Sequence, residues 1–282
     1  MGYCPHLTTL INNEDNLWLS PVINNICIII LIYNIKKMNI TATFEKLKTM
    51  NLSGFETAYR TIYETGTTSS FTNDEIIGHL IDAEYDERYN KKLARLLKNA
   101  GFRQQVTFNQ IDFVASRTLD KNLMLRLQTC DWIKKSKDIL IVGPTGVGKS
   151  FIACSLGFQA CLAEFKVLYT STGKLLDKLV YAKADGTYLR ELDKIAKMDL
   201  LIMDDFGLKP IDSKNRNILF DIIDDRNAKK STIITSQIPV KDWYECIGDA
   251  NLADALLDRL VNGSFRIEMQ GESMRKFIKK AE

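Results

Sequence analysis

The 282-residue sequence has little of what marks a metal-binding, disulfide-bonded or membrane protein. It has only two histidines, and none of its six cysteines belongs to a C-x-x-C pair, so the pattern argues against a zinc site. The apolar run from Ile26 to Tyr33 is far shorter than the ~20 residues that cross a bilayer. The net charge is only +3, so a nucleic-acid site would have to come from a local cluster of cations. These absences favour a globular cytoplasmic protein without a membrane partner.

The first 37 residues lack the features of a targeting signal. No lysine or arginine precedes the apolar run, and no cleavage site of small residues follows it. Two interpretations remain: the run forms a strand or short helix of the fold, or residues 1–37 are translated upstream sequence and the protein starts at Met38. Recognisable organisation begins only near Phe44, which favours the second interpretation. We therefore expect residues 1–37 to be an extension outside the fold.

The most informative segment is the octapeptide GPTGVGKS, which follows the apolar run Ile139–Val142 and precedes a helical pattern. Strand, glycine loop and helix in this order are the context of a G-x-x-x-x-G-K-[ST] phosphate-binding loop. The three glycines let backbone N–H groups curl around anionic oxygens. Lys149 reaches the β- and γ-phosphates of ATP, which makes it a catalytic candidate, and Ser150 offers a hydroxyl to Mg²⁺. The predicted nucleotide-binding residues are Gly143, Pro144, Thr145, Gly146, Val147, Gly148, Lys149, Ser150 and Phe151.

Apolar runs alternate with helical segments after this loop. The further strand candidates are Val167–Tyr169, Leu200–Met203, Thr232–Thr235 and Phe265–Met269. The alternation predicts an α/β fold in which helices cover both faces of a parallel sheet. Residues 38–103 have a helical pattern, residues 104–120 are predicted as a linker, and residues 121–282 form the predicted α/β domain. That domain opens with a predicted helix from Lys121 to Ile133.

Two carboxylates, Asp204 and Asp205, end one of the apolar runs. Burying a carboxylate is costly, and the cost is tolerable where a cation and a substrate lie beside it. In ATPases one acid orients Mg²⁺ and another polarises the attacking water, so Asp204 is the predicted metal ligand and Asp205 the predicted catalytic base. Ser236 and Gln237 follow the candidate strand Thr232–Thr235 and would emerge beside the γ-phosphate if that strand adjoins the phosphate-loop strand. Either could orient water, and physical reasoning does not choose between them.

Cations cluster on one side of the helical pattern from Arg88 to Ala100, while Leu93, Leu96 and Leu97 fall on the opposite side. Two interpretations stay open: a solvated face over a packed one, or a stripe that contacts the phosphates of double-stranded DNA. The predicted DNA-binding residues are Arg88, Lys91, Lys92, Arg95 and Lys98.

Five motifs, in this order and spacing, resemble the IstB-like ATP-binding proteins: GPTGVGKS, DLLIMDDFG, STIITSQIP, ALLDRLVNGS and GESMRK. The resemblance covers roughly Phe44 to Lys280. This family comprises helpers encoded beside the transposase in bacterial insertion sequences, and it belongs to the AAA+ ATPases, with similarity to DnaC-type helicase loaders. The resemblance implies a P-loop fold with a five-stranded parallel sheet in the order 5-1-4-3-2, preceded by a small helical domain.

The resemblance also implies roles for single residues. Residues 143–150 match the Walker A loop, and Asp204 with Asp205 matches Walker B, with Asp205 standing where the family commonly has glutamate. Ser236 or Gln237 takes the sensor-1 position, where many relatives have asparagine.

Three arginines, Arg226, Arg259 and Arg275, are candidates for stabilising charge on the γ-phosphate of a neighbouring subunit. Taken by itself, each has the pattern of an ordinary surface residue. The resemblance implies that Arg259 reaches the neighbour's nucleotide. It implies only that Arg275 lies near the sensor-2 region, and it assigns no role to Arg226.

The resemblance implies an ATPase that uses ATP and Mg²⁺ and forms a homo-oligomer with nucleotide at the subunit interfaces. The oligomer would assemble on double-stranded DNA and recruit or stimulate a cognate transposase. Two alternatives stay open: a replicative helicase loader of the same fold, and a nucleotide-dependent scaffold that does not hydrolyse ATP. Asp205 motivates the scaffold, because its side chain is one methylene shorter than glutamate and reaches less far toward water.

Overall fold

The computed structural model describes residues 40–67, 71–113 and 118–274. They divide into two compact units, one ending at Arg88 and the other beginning at Tyr89. The domain boundaries at residues 37, 103 and 120 stay predictions, and the extension 1–37 lies outside the described residues. Within the described ranges, no helix combines the length and the apolar character needed to cross a membrane.

Helices and strands alternate along the second unit, as the sequence predicts. The α-helices of the described residues are α1 Ile40–Thr49, α2 Ser53–Thr65, α3 Asn73–Ala100, α4 Lys121–Gln128, α5 Asp131–Lys134, α6 Lys149–Leu162, α7 Thr172–Ala184, α8 Tyr188–Ala196, α9 Ser213–Arg226, α10 Trp243–Ile247 and α11 Ala250–Val261. The strands are β1 Ile139–Val142, β2 Val167–Ser171, β3 Leu200–Phe206, β4 Ser231–Ser236 and β5 Phe265–Glu268. Short 3-10 helices occupy Phe108–Gln110 and Val240–Asp242.

In the first unit, a buried carboxylate of α3 caps the start of α2. Glu84 accepts hydrogen bonds from the backbone N–H groups of Gly54 at 2.9 Å and Phe55 at 3.1 Å. The first turn of a helix leaves such donors without an intrahelical partner. A Cβ on Gly54 would lie 2.4 Å from the carbonyl oxygen of Ala83, so only glycine allows α2 and α3 to approach this closely.

The five strands form one parallel sheet in the order β2-β3-β4-β1-β5. This is the predicted order 5-1-4-3-2 read from the other edge, so the predicted fold class is confirmed. β1 and β4 are adjacent, with Ile139 opposite Ile233 and Val142 opposite Ser236. Because parallel strands end at the same edge, the phosphate loop after β1, the acidic pair of β3 and the polar residues of β4 all meet there.

Side chains of β1 alternate between two apolar cores. Ile139 and Ile141 pack with buried residues of α4, α5 and α6, whereas Leu140 and Val142 pack with buried residues of α7, α9 and α11. All four β1 side chains are buried. Helices therefore cover both faces of the sheet, as a parallel sheet requires.

Two helices differ from their predicted extents. The helical pattern predicted from Arg88 to Ala100 is the second half of a longer helix, α3, which begins at Asn73. The single helix predicted over Lys121–Ile133 divides into α4 and α5 at Cys130. The φ of Cys130 is 59°, in the left-handed region, and a residue in that conformation cannot continue a right-handed helix.

The segment between α3 and α4, which the sequence predicts as a linker, contributes to the core. Val106, Phe108 and Ile111 are buried, and Phe108 and Ile111 belong to the core formed around α6. The Thr107 side chain accepts from the backbone of Gln110, whose side chain accepts from the Thr107 N–H at 3.0 Å. This capping box fixes the single 3-10 turn, so the segment is anchored without being regular.

Candidate functional site

The phosphate loop has the backbone conformation that its glycines allow. The φ angles of Gly143, Gly146 and Gly148 are 154°, 86° and 104°, which residues with a Cβ rarely adopt. Close packing adds a second requirement, because a Cβ on Gly143 would lie 2.3 Å from the carbonyl oxygen of Met269. A Cβ on Gly146 would lie 2.1 Å from Oγ of Ser273.

Residues 269–274 form one wall beside this loop. The N–H of Met269 donates to the carbonyl oxygen of Val142 at 2.8 Å, and the N–H of Met274 donates to that of Gly146 at 2.9 Å. These two bonds attach the segment to the end of β1 and to the middle of the phosphate loop.

A cavity of about 640 Å³ opens beside the loop, within the range usual for small-molecule sites. Its lining combines loop residues with side chains from four other parts of the second unit. The lining residues are Arg103, Gln104, Gln110, Asp112, Thr145, Gly146, Gly148, Lys149, Ser150, Phe151, Asp205, Leu208, Gln237 and Met274.

The first residues of α6 direct two polar groups into the site. Lys149 is only 6% exposed, and its Nζ donates to the carbonyl oxygen of Pro144 at 2.9 Å. Ser150 donates from Oγ to Oδ1 of Asp204 at 2.9 Å. Lys149 and Ser150 therefore line the cavity side by side, and Ser150 connects it to the buried Asp204, the other predicted metal ligand.

Asp204 is 1% exposed, and hydroxyl groups from three elements surround its carboxylate. Oδ1 accepts from Ser150 of α6 and from Oγ1 of Thr235 of β4. Oδ2 accepts from the phenol of Tyr169 of β2 at 2.5 Å. Burial, followed by this hydrogen bond and the charge of Asp204, raises the pKa of the Tyr169 phenol well above its usual range, so the phenol is a donor at neutral pH.

Asp205 lines the cavity with an unusual backbone conformation. Its φ is 58°, and the pairing of β3 with β4 shifts register between Met203 and Phe206. The N–H of Asp205 donates to Oγ1 of Thr235 at 3.1 Å. This irregularity turns the Asp205 side chain to the cavity, while the neighbouring Asp204 stays buried.

The two sensor-1 candidates have different surroundings. Ser236 is fully buried, and its Oγ donates to the carbonyl oxygen of Phe206 at 2.9 Å and accepts from the N–H of Ile238 at 3.2 Å. Gln237 lines the cavity, and its Oε1 accepts from Oγ1 of Thr145 at 2.6 Å. Gln237 therefore has the geometry to orient a water molecule in the cavity.

Arg259 does not line the cavity of its own chain. Its guanidinium is bound to Oδ1 of Asp224 at 2.9 Å, donates to the carbonyl oxygen of Ala255 at 2.8 Å and lies 5.0 Å from the ring centre of Phe220. These contacts hold it on the outer side of α9 and α11, with a quarter of the side chain exposed.

Arg226 has a structural role. It is 2% exposed and donates to backbone carbonyl oxygens of Ile195, Met198 and Ser231. Burial lowers the pKa of Arg226 to about 10, which leaves it charged at neutral pH. Arg275 lies outside the described residues.

The five predicted DNA-binding residues lie on α3 and differ in their partners. Arg88 is paired with Glu84 at 2.6 Å, and Lys92 is paired with Glu164 at 2.8 Å. Arg95 and Lys98 are exposed, while Leu93, Leu96 and Leu97 pack against the core around α6. The predicted division into a packed side and a cationic side therefore holds for the part of α3 in the second unit.

Sequence reasoning missed two groups of residues at the site. Gln104, Gln110 and Asp112 line the cavity although they belong to the segment predicted as a linker, and so does Arg103, the last residue of the predicted helical region. Tyr169 contacts Asp204, although its strand carries no recognised motif. The spacing of the apolar residues Val106, Phe108 and Ile111 could have indicated that the segment between α3 and α4 packs against the core.

The donor set fits Mg²⁺. Ser150 and Asp204 offer hard oxygen ligands, which Mg²⁺ prefers, and it commonly takes only one or two protein ligands beside water and phosphate oxygens. Among the described residues, no group of three or more His, Cys, Asp or Glu side chains could form an all-protein metal cage. The site is therefore suited to a cation that arrives with a nucleotide.

The parallel sheet with β4 between β3 and β1, the loop ahead of α6 and the acidic pair of β3 define a P-loop nucleotide-binding protein of the AAA+ type. The chain belongs to the IstB-like ATP binding protein family, whose model matches residues 45–281. The resemblance that the motifs predict is therefore confirmed.

Relatives of this chain come from bacterial insertion sequences. The insertion sequence ATP-binding protein y4pL of Sinorhizobium fredii is 41% identical over 234 residues, which are 83% of this chain and 96% of that protein. The ATP-binding protein of insertion sequence IS1162 from Pseudomonas fluorescens is 39% identical over 198 residues, 70% of this chain and 86% of that protein. The fold is similar to that of AMPPCP-bound DnaA from Aquifex aeolicus, with a TM-score of 0.52 and 19% identity over 64% of this chain and 56% of that one.

Proposed function

We propose that this chain is an ATP-dependent transposition helper. It binds and hydrolyses ATP with Mg²⁺, oligomerises on double-stranded DNA, and recruits or stimulates a cognate transposase. The observation that carries the proposal is that the phosphate loop and Asp205 line one cavity, where Ser150 is hydrogen-bonded to the buried Asp204. The family of this chain and the names of its relatives, which are insertion sequence ATP-binding proteins, support a role in transposition.

Nucleotide binding is assigned to the loop and the first turn of α6. The backbone N–H groups of residues 143–150 and the N-terminal end of α6 favour anionic oxygens. Lys149 would leave the carbonyl oxygen of Pro144 for the β- and γ-phosphates, a short movement because its Nζ already lies at the loop. Phe151 and Met274 offer apolar surface in the same cavity for the uncharged part of the nucleotide.

Hydrolysis is assigned to Asp205 and Gln237. Ser150 and Asp204 would hold Mg²⁺, which when bound neutralises charge on the phosphate oxygens. Asp205 would accept a proton from the attacking water, and the amide of Gln237 would orient that water. Both side chains line the cavity; Asp205 belongs to β3, and Gln237 directly follows β4.

Oligomerisation is assigned to Arg259 acting on a second copy of the chain. Its guanidinium is held by Asp224 and Ala255 and lies away from the cavity of its own chain, so it could serve only the nucleotide of a neighbour. An arginine supplied in this way stabilises charge that develops on the γ-phosphate. ATP would then stabilise the assembly by joining two subunits.

DNA contact is assigned to the cationic side of α3. Arg95 and Lys98 are exposed and lie on a helix whose opposite side is fixed by Leu93, Leu96 and Leu97. Phosphate contacts from such side chains position a duplex without reading its sequence. Lys92 would exchange Glu164 for a phosphate at little cost, because ion pairs between exposed side chains contribute about 0–1 kcal/mol. Arg88 would exchange Glu84, whose carboxylate is largely buried and keeps its bonds to the start of α2.

The proposal is tested with the purified full chain and duplex DNA. We expect phosphate release from ATP that increases with DNA, and an assembly on DNA that requires ATP. Lys149→Ala should lose both, whereas Lys174→Ala, an exposed lysine of α7, should keep both. ATP binding and assembly without phosphate release would favour the scaffold that does not hydrolyse ATP. Assembly on DNA that ignores ATP would contradict the proposal.

The DNA surface is tested by charge reversal. Arg95→Glu combined with Lys98→Glu should weaken duplex binding and reduce the slope of log affinity against log salt by about 0.9 for each lost phosphate contact. The matched control is Lys214→Glu with Lys229→Glu, which changes the net charge equally at two other exposed positions of the second unit. If both double variants lose the same duplex affinity, or if neither loses any, this side of α3 is only a solvated surface.

A further inference from the structure

The carboxylate of Asp204 is held at both oxygens. Ser150 and Thr235 donate to Oδ1, and the phenol of Tyr169 is the donor to Oδ2. The backbone of Asp204 is held as well, because its carbonyl oxygen accepts from Oγ1 of Thr172 at 3.0 Å. With one oxygen bound by α6 and β4 and the other by β2, the carboxylate plane has little freedom to rotate.

The ring of Tyr169 is itself fixed by packing. Its centroid lies 6.3 Å from that of Phe102, with the ring planes at 56°. Phe102 in turn lies against α6 where Gly157 leaves room, since a Cβ on Gly157 would lie 2.6 Å from Cε1 of Phe102. The phenol therefore reaches Asp204 from a ring that is held in place by the segment after α3.

We propose that Tyr169 is a positioning residue, which holds Oδ2 of Asp204 so that the carboxylate meets Ser150 and a nucleotide-bound Mg²⁺ in one fixed orientation. The inference rests on the proposed function, because it concerns the cation that accompanies ATP. Groups that orient a metal ligand from behind affect metal affinity even though they never touch the metal. Tyr169 does not line the cavity, and its hydrogen bond to Asp204 links it to the site.

The test is the gain in nucleotide affinity that Mg²⁺ provides. A fluorescent ATP analogue is titrated into the full chain with Mg²⁺ and again with EDTA, and the ratio of the two affinities is the Mg²⁺ gain. Tyr169→Phe removes one hydroxyl and keeps the ring. We expect its affinity in EDTA to stay parental and its Mg²⁺ gain to fall on the order of tenfold.

A second phenol–carboxylate pair provides the matched control. Tyr188 donates to Oδ2 of Asp221 at 2.5 Å, and neither residue lines the cavity. Tyr188→Phe should therefore lose the same kind of hydrogen bond and keep the parental Mg²⁺ gain. In an Asp204→Asn background, Tyr169→Phe should cause no further change, because the phenol acts only through that carboxylate.

The outcomes separate the two proposals. A parental Mg²⁺ gain in Tyr169→Phe would overturn the positioning role. So would an equal loss of affinity with Mg²⁺ and with EDTA, which indicates a packing role only. If the parent chain shows no Mg²⁺ gain, or Asp204→Asn leaves that gain intact, the assignment of the cation to Ser150 and Asp204 fails instead.

Discussion

Replacing Asp205 with asparagine should separate nucleotide binding from hydrolysis. Asp205 lies in the left-handed region at a φ of 58°, which asparagine tolerates as well as aspartate. The hydrogen bond from its N–H to Thr235 belongs to the backbone and is kept. The side chain is partly exposed in the cavity, so we expect the free energy of unfolding of Asp205→Asn to stay within about 0.5 kcal/mol of the parent.

The expected loss of rate follows from the missing base. An amide cannot take the proton of the attacking water, and a positioned base contributes roughly 10²–10⁴-fold, or about 3–5.5 kcal/mol. Aspartate reaches less far than glutamate, which places the expectation at the lower end. We expect turnover to fall about a hundredfold. Affinity for ATP with Mg²⁺ should change by less than roughly twofold, because Asp204 and Ser150 are untouched.

The assay combines phosphate release in a single turnover with titration of a fluorescent ATP analogue. Asp193→Asn is the matched control, since Asp193 is an exposed carboxylate paired with Lys197 outside the cavity. Unchanged turnover in Asp205→Asn would refute the reasoning and move the base elsewhere in the cavity. Equal losses of binding and turnover would make Asp205 a binding residue instead.

Four further substitutions test the phosphate loop, an exposed position of α7 and a half-buried carboxylate. Lys149→Ala should weaken binding of the ATP analogue at least tenfold, because losing a hydrogen bond to a charged group costs about 1.5 kcal/mol or more. Equal affinity in variant and parent would contradict the role of Lys149. Gly146→Ala should lower the free energy of unfolding in urea by about 1–3 kcal/mol, because the new Cβ would meet Ser273 and φ is 86°. Gly173→Ala should instead stabilise by up to about 1 kcal/mol, since a Cβ there meets nothing within 4 Å, so equal effects would contradict both assignments. Burial raises the pKa of Asp138 from 3.8 to about 6, so the folded state binds more protons and stability should fall as pH rises from about 4 to 6. Asp138→Asn should flatten that decline in unfolding experiments, and identical pH profiles would contradict the role of this group.

The sheet could be predicted from the sequence because its signals are local. Ile139–Val142 and Leu200–Met203 are apolar runs next to a glycine loop and an acidic pair, and both patterns arise within a few residues. Ser236 and Gln237 differ in the side of the sheet to which each side chain points. Side chains alternate along a strand, so Gln237 continues on the side of Thr235, which contacts Asp204, while Ser236 points to the other side.

The remaining site residues depend on contacts between distant parts of the chain. Tyr169 reaches Asp204 only because β2 and β3 are paired with Ser171 opposite Asp204. Arg103 lines the cavity because Phe102 lies against Gly157, 55 residues further along the chain. Neither of these long-range contacts leaves a periodic pattern in the sequence. The same holds for the positive φ of Asp205, which arises from the irregular pairing of β3 with β4.

The wall formed by residues 269–274 is synthesised after the phosphate loop to which it is hydrogen-bonded. β1 to β4 leave the ribosome before this segment, so a nascent chain can assemble most of the sheet while the phosphate loop still lacks the bonds from Met269 and Met274. We expect a chain ending at Glu268 to keep its helical circular dichroism and to bind the ATP analogue weakly. Parental affinity in that chain would contradict this expectation. Weak binding in that chain would mean that the protein becomes able to bind ATP only late in its synthesis.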